Sequence, residues 1–126
     1  MSFVPKDALV WCEIPTADME RSVAFYNTVM DYGLKIDNSG PNPMAMLPIE
    51  DMATGTGGHI YPGTPAGDGS GPTIHLAVPD TLAATAKRWS AEGGTVLSEA
   101  ITIPGGSFIY ATDLDGNSIG LFKAAG

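Results

Sequence analysis

The sequence is poor in cysteine, in basic residues and in long apolar runs. Its one cysteine, Cys12, excludes an intramolecular disulfide and a multi-cysteine zinc site. Six Lys and Arg stand against fourteen Asp and Glu, and the net charge of −8 repels phosphate backbones and anionic lipids. No run approaches the roughly 20 apolar residues of a membrane-spanning helix, and no signal peptide is visible. We therefore expect a cytoplasmic protein without nucleic-acid or membrane partners.

What the sequence does contain is a repeated order of predicted elements. Strand-forming residues at 8–14 precede a helix with Asp18 as its N-cap, and those at 73–78 precede a helix with Asp80 as its N-cap. The two caps lie 62 residues apart, and so do Gly58 and Gly120 in later predicted strands. This constant offset predicts two copies of one supersecondary unit.

The remaining predicted strands complete the two units. Each helix is predicted to end at glycine, the first at Gly33 and the second at Gly93, and three short strands follow each helix. We predict a first unit over 1–61, a Gly- and Pro-rich linker over 62–72, and a second unit over 73–126. The predicted later strands are 34–36, 44–49 and 58–61, then 95–97, 107–112 and 118–123.

Two segments carry a resemblance to a known family. Residues 13–26, EIPTADMERSVAFY, are similar to an opening pattern in which an Asp-capped helix carries a Phe-Tyr pair. Residues 113–121, DLDGNSIGL, are similar to a closing hairpin of the same family. Together they resemble the vicinal oxygen chelate superfamily, which includes glyoxalases, dioxygenases and bleomycin-resistance proteins. The resemblance implies an α+β fold of tandem β-α-β-β-β units, whose curved sheets surround a cleft.

The resemblance also assigns positions for a metal. Metal-dependent members carry one ligand on the first and one on the last strand of each unit, which gives Trp11, Gly58, Thr73 and Gly120 here. None of these is a usual ligand, because indole and glycine offer no free lone pair and a neutral hydroxyl binds weakly. We therefore predict no cofactor and no resident metal. The alternative is a displaced metal held by Glu13, His59 and His75.

Glu13 and His75 are the predicted catalytic residues. They are equivalent by the repeat and lie two residues beyond the absent ligands, so strand alternation returns them to the same face. A carboxylate beside an imidazole can act as a general acid/base pair, and a buried structural pair is the alternative. By the same offset, His59 falls one residue off this face, at an outer surface or subunit contact. The predicted substrate-binding residues are Trp11, Thr73, Tyr110 and Phe122.

Three functions follow from this set. The first is a metal-independent enzyme, a lyase or isomerase using acid/base chemistry on a small organic molecule. The second is a binding protein that sequesters a planar drug or metabolite without chemistry. The third is a metal-dependent lactoylglutathione-lyase-like or dioxygenase-like enzyme with a relocated site. Exposed sheet edges need covering, so we expect a homodimer, the assembly common among the family's members.

Overall fold

The computed structural model describes residues 2–126, and within them no helix is long and apolar enough to cross a membrane. Two helices and eight strands follow one another in that range. In chain order they are β1 (Trp11–Thr16), α1 (Met19–Met30), β2 (Ala45–Met46), β3 (Gly57–Pro62), β4 (Ile74–Ala77), α2 (Leu82–Ala91), β5 (Thr95–Val96), β6 (Ile101–Ile103), β7 (Gly106–Thr112) and β8 (Ser118–Ala124).

Each half of the chain forms its own mixed sheet. The first sheet has the order β1-β3-β2, and the second has the order β4-β8-β7-β5 with β6 paired to β7. In both, the first and last strands of the unit run parallel and their neighbours run antiparallel. The predicted α+β fold of β-α-β-β-β-like units is confirmed. The predicted strand over 34–36 is reduced to one bridge, Asp37 to Met44, and β6 was not predicted.

Burial alternates along the first strand of each unit. Ile14 and Leu76 are buried against the helices, whereas Glu13 and His75 are exposed on the opposite side. The predicted offset of 62 therefore holds for β1 and β4.

The offset changes in the last strand of each unit. Ile14 pairs with Ile60, and the equivalent Leu76 pairs with Leu121, so the last strands are offset by 61 residues. A shift of one residue moves every side chain to the other face. The predicted equivalence of Gly58 with Gly120 is therefore wrong, and His59 is the residue equivalent to Gly120.

The helix ends confirm the predicted cap at Asp18 and the predicted glycine stop at Gly93, and they correct two other predictions. Asp18 accepts a hydrogen bond from Arg21 N at 3.1 Å, as an N-cap does. The second cap is Thr81, not Asp80. Helix α1 ends at Asp31, whose φ of 55° takes the left-handed role predicted for Gly33. Helix α2 has Glu92 as its C-cap, and the predicted Gly93 follows at a φ of 101°.

One apolar core joins the two units between the helices and the sheets. Trp89 and Tyr26 are fully buried, and Phe25 meets the Trp89 ring edge-on with centroids 4.8 Å apart. The Trp89 indole donates to the Thr112 carbonyl at 2.8 Å, so its one polar atom is satisfied. Burying each of these rings contributes about 2–3 kcal/mol.

A buried polar turn fastens the last hairpin to the first unit. We call residues 113–117, the turn between β7 and β8, the hairpin clamp. Asp115 accepts from the Thr16 hydroxyl at 2.6 Å and from Ala17 N at 3.0 Å. Asp113 accepts from the Tyr26 hydroxyl at 2.7 Å, and burial beside Asp113 raises the pKa of Tyr26 well above its usual value. The clamp therefore fixes where β1 lies relative to β8.

The linker also lies against this clamp. Gly69 N donates to the Gly116 carbonyl at 2.8 Å, and a side chain at Gly116 would overlap the backbone of Gly67. Gly116 itself has a φ of 76°, so a glycine is needed here both for the left-handed backbone of the turn and for the close approach of Gly67. The segment predicted as a linker therefore packs against the clamp at this point.

Candidate functional site

Each sheet turns one face toward the helices and leaves the other open. We call the open side of the first sheet, with Trp11, Glu13, His59 and Tyr61, the first face. The open side of the second sheet, with His75, Phe108, Tyr110 and Phe122, is the second face. Adjacent strands supply each set, because β1 lies beside β3 and β4 lies beside β8, which pairs with β7.

Three side chains in successive contact cross the first face. The Trp11 indole N–H donates to His59 Nδ1 at 2.9 Å. His59 Nε2 lies 3.3 Å from Glu13 Oε1. His59 is 9% exposed as a residue, whereas the Glu13 side chain is 62% exposed. The chain therefore leads from a half-buried indole through a buried imidazole to a carboxylate at the surface.

This geometry defines which nitrogen of His59 carries the proton. Nδ1 accepts from an indole that can only donate, so the proton of the neutral ring resides on Nε2, which lies 3.3 Å from Glu13 Oε1. The exposed Glu13 carboxylate is the group left open to a ligand.

The second face is aromatic and surrounds a histidine. The His75 ring meets Phe108, Tyr110 and Phe122 at centroid distances of 5.1, 6.1 and 6.2 Å, all edge-on. A side chain at Gly120 would overlap the His75 ring, so this glycine is what lets the imidazole lie against β8. The arrangement is an aromatic wall with one imidazole at its centre.

Each face carries its own cavity. The first-face cavity, about 590 Å³, lies beneath the loop before β2, and Glu13, His59 and Tyr61 line it together with Asp37, Pro41 and Pro43. The second-face cavity, about 480 Å³, is lined by His75, Ala77, Ile103, Phe108 and Phe122. Both volumes suit a small organic molecule.

The structure separates the predicted catalytic pair. Glu13 and His75 lie on different sheets and line different cavities within one chain. The partner of Glu13 is His59, which lies on the open face and not on the outer surface that the constant offset predicted. The roles predicted for Glu13 and His75 remain predictions, now for two separate faces.

The predicted binding residues are also divided between the faces. Trp11 lies on the first face, and Tyr110 and Phe122 lie on the second, where both contact His75. Thr73 precedes β4 and pairs its hydroxyl with that of Ser118 at 2.5 Å, outside the cavity-lining sets. Phe108 was missed, although its position two residues before Tyr110 in a strand places both on one face.

The residues at the family's ligand positions do not fit a divalent metal. With the corrected register they are Trp11, His59, Thr73 and Gly120, of which only His59 is a usual ligand. Both nitrogens of His59 face other side chains, Trp11 and Glu13. In the alternative set His75 lies on the second sheet, and residues 2–126 contain no group of three His, Cys, Asp or Glu that could hold a metal.

Comparisons with known proteins agree with this architecture. Residues 8–50 match the family model described as Bleomycin resistance protein-like N-terminal, which covers β1, α1 and β2. No curated protein sequence matches the chain. The chain has the fold of the vicinal oxygen chelate superfamily, that of the glyoxalases and bleomycin-resistance proteins.

Solved structures show the same fold at low sequence identity. The hypothetical protein SA1046 from S. aureus is 20% identical, with a TM-score of 0.64 over 93% of this chain and 96% of that one. The fosfomycin resistance protein FosX from Listeria monocytogenes, solved with Mn(II) and sulfate, is 15% identical, with a TM-score of 0.67 over 97% and 93%. An integron cassette protein from V. cholerae is 18% identical, with a TM-score of 0.60 over 96% and 98%.

Proposed function

We propose that the protein binds a flat, largely apolar organic molecule against the second face and sequesters it. The observation that carries this proposal is the aromatic wall of Phe108, Tyr110 and Phe122 around His75, beside a cavity of about 480 Å³. Offset and edge-on ring contacts favour planar ligands, and the imidazole offers one polar contact to orient them.

The charge of the second-face cavity supports a neutral or cationic ligand. None of its five lining residues is Lys or Arg, and the chain as a whole carries a net charge of −8. A phosphonate such as fosfomycin requires basic side chains or a metal for its charge. A neutral or cationic planar ligand therefore fits this proposal better than fosfomycin does.

The second face is completed by a second copy of the chain in this proposal. Ile103 is 43% exposed and Tyr110 is 38% exposed, so a ligand on this wall keeps one side in water. A C2 dimer that covers the face would enclose the ligand and cover the exposed apolar residues. Light scattering should give twice the mass of the chain, and a monodisperse monomer at micromolar concentration would refute the dimer.

Calorimetric titration with bleomycin tests the binding function. We expect saturable binding that Phe122→Ala and His75→Ala each weaken about tenfold or more, because each removes part of the wall. Phe3→Ala is the matched control, since Phe3 is exposed aromatic surface of the first unit, outside the cavity-lining set. Unchanged affinity in both wall variants would place the ligand elsewhere.

An acid/base enzyme is the second candidate, and the exposed imidazole of His75 at the centre of the wall favours it. Phosphorus NMR of fosfomycin incubated with the protein, with and without added Mn(II), tests for chemistry on that compound. Turnover that His75→Ala abolishes while the ligand still binds would establish the enzyme over the binding protein.

A further inference from the structure

We infer that the first face is a separate binding site for a flat organic cation of the amidinium or guanidinium type, with the Glu13 carboxylate as its recognition group. The cavity above this face, about 590 Å³, shares no lining residue with the second-face cavity. The residues that line the first-face cavity therefore determine which ligand it binds, independently of the aromatic wall around His75.

The Trp11–His59–Glu13 chain leaves only an acceptor facing the cavity. Trp11 uses its one donor on His59 Nδ1, and His59 Nε2 lies 3.3 Å from Glu13 Oε1. The Glu13 side chain is 62% exposed, so both of its oxygens are within reach of a ligand. A carboxylate with two accessible oxygens matches the paired N–H donors of an amidinium or guanidinium, which bind it through two parallel hydrogen bonds.

The rest of the cavity lining also suits a positive, planar group. It contains a second carboxylate, Asp37, whose pKa is held below its usual value by hydrogen bonds from Ser39. The aromatic ring of Tyr61 and the rings of Pro41 and Pro43 supply flat apolar walls, and no Lys or Arg is among the lining residues. An aromatic ring near a cation adds an attraction of about 0.5–2 kcal/mol.

Trp11 and His59 act here as positioning residues. Without the indole donor, the His59 ring can turn over and exchange its two nitrogens, so the nitrogen that faces Glu13 is no longer fixed. This arrangement predicts a specific spectroscopic signature. In ¹⁵N NMR of the wild-type protein, His59 should be the neutral Nε2–H tautomer, and Trp11→Phe should produce a mixture of both tautomers.

Three probes of one shape and different charge test the site: benzamidinium, neutral benzamide and anionic benzoate. We expect saturable binding of benzamidinium by calorimetry, at least tenfold tighter than that of benzamide, and no binding of benzoate. Glu13→Gln should weaken benzamidinium at least tenfold and Trp11→Phe about threefold. Glu99→Gln is the control, because it removes the same charge from an exposed position outside the cavity-lining sets.

The outcomes separate this site from the proposed function. Phe122→Ala should leave benzamidinium binding unchanged, and Glu13→Gln should leave the second face intact. Equal binding of benzoate, or equal loss in Glu13→Gln and Glu99→Gln, would overturn the inference by showing that only net charge acts. The inference would also be overturned if Phe122→Ala lost benzamidinium binding and Glu13→Gln retained it. That result would leave the second-face proposal standing.

Discussion

The two open faces place an aromatic ring over a glycine in the same way but hold that ring differently. On the first face, Trp11 lies over its cross-strand partner Gly57, where a Cβ would come within 2.9 Å of the indole. On the second face, His75 lies over its cross-strand partner Gly120. Trp11 is fixed by a hydrogen bond to a buried histidine, whereas the neighbours of His75 are other rings.

This difference shows how a duplicated unit can diverge in chemistry while keeping its packing. The glycine under each ring preserves the flat contact of the ring with the sheet. The position of the ring along the strand differs by two residues, because the residue equivalent to His75 is Glu13 and not Trp11. The first face has become polar and acidic, and the second has become apolar. One chain thereby presents two surfaces of opposite character on equivalent strands.

The hairpin clamp holds the two faces in one relation, and removing it is the largest change we predict. Asp115→Ala removes a buried carboxylate that accepts from the Thr16 hydroxyl, from Ala17 N and from the Arg21 guanidinium. Losing these hydrogen bonds to a charged group costs about 2–4 kcal/mol in total, which would appear as a lower urea midpoint.

Asp115→Asn serves as the control for this change, because the amide retains one oxygen acceptor at nearly the same position. We expect it to lose about half as much stability. Equal losses in both variants would mean that the charge, and not the hydrogen bonding, stabilises the clamp. No loss in Asp115→Ala would show that the units are joined by the apolar core alone.

Replacing each of the two glycines with alanine tests whether the two faces are independent. Gly120→Ala forces the His75 ring off β8 and loses its edge-on contacts, at a cost of about 1–2 kcal/mol. Gly57→Ala displaces the Trp11 indole from its hydrogen bond to His59, at a cost of about 1 kcal/mol. Each variant should affect ligand binding on its own face only.

Tryptophan fluorescence distinguishes the effects of the two glycine substitutions. The protein has two tryptophans, and Trp89 is fully buried in the core. Gly57→Ala should shift the emission of half-buried Trp11, and Gly120→Ala should leave the spectrum unchanged. A spectral shift in Gly120→Ala would show that the two sheets are coupled through the core.

The sequence predicted the features that depend on local patterns. Asp18 was identified as a cap because a carboxylate before an apolar helical stripe satisfies free amides locally. Glu13 and His75 were placed on open faces by strand alternation and the repeat. Thr81 was missed as the second cap because its neighbour Asp80 is also a good capping residue, and only the backbone register decides between them.

Features set by pairing between distant strands could not be predicted. The contact of Glu13 with His59 depends on β1 lying parallel to β3 in one register, and the register depends on the length of the chain between them. A change of one residue in that length between the two units reversed the predicted face of His59. The burial of the hairpin clamp against Thr16 and Tyr26 likewise follows from the packing of one unit on the other.

The smallest predicted effect concerns the contact of the first unit with the clamp, through Tyr26. Its pKa is raised by burial and by Asp113, so the neutral phenol contributes stability that is complete below about pH 10 and is lost as pH rises further. Tyr26→Phe should cost about 1 kcal/mol at pH 8, where the bond to Asp113 is lost. Thermal unfolding at pH 8 and pH 11 should then show the gap between variant and wild type narrowing, because the variant has no phenol to ionise. A gap that stays constant over this range would show that Tyr26 does not drive alkaline unfolding, and that the two units separate for another reason.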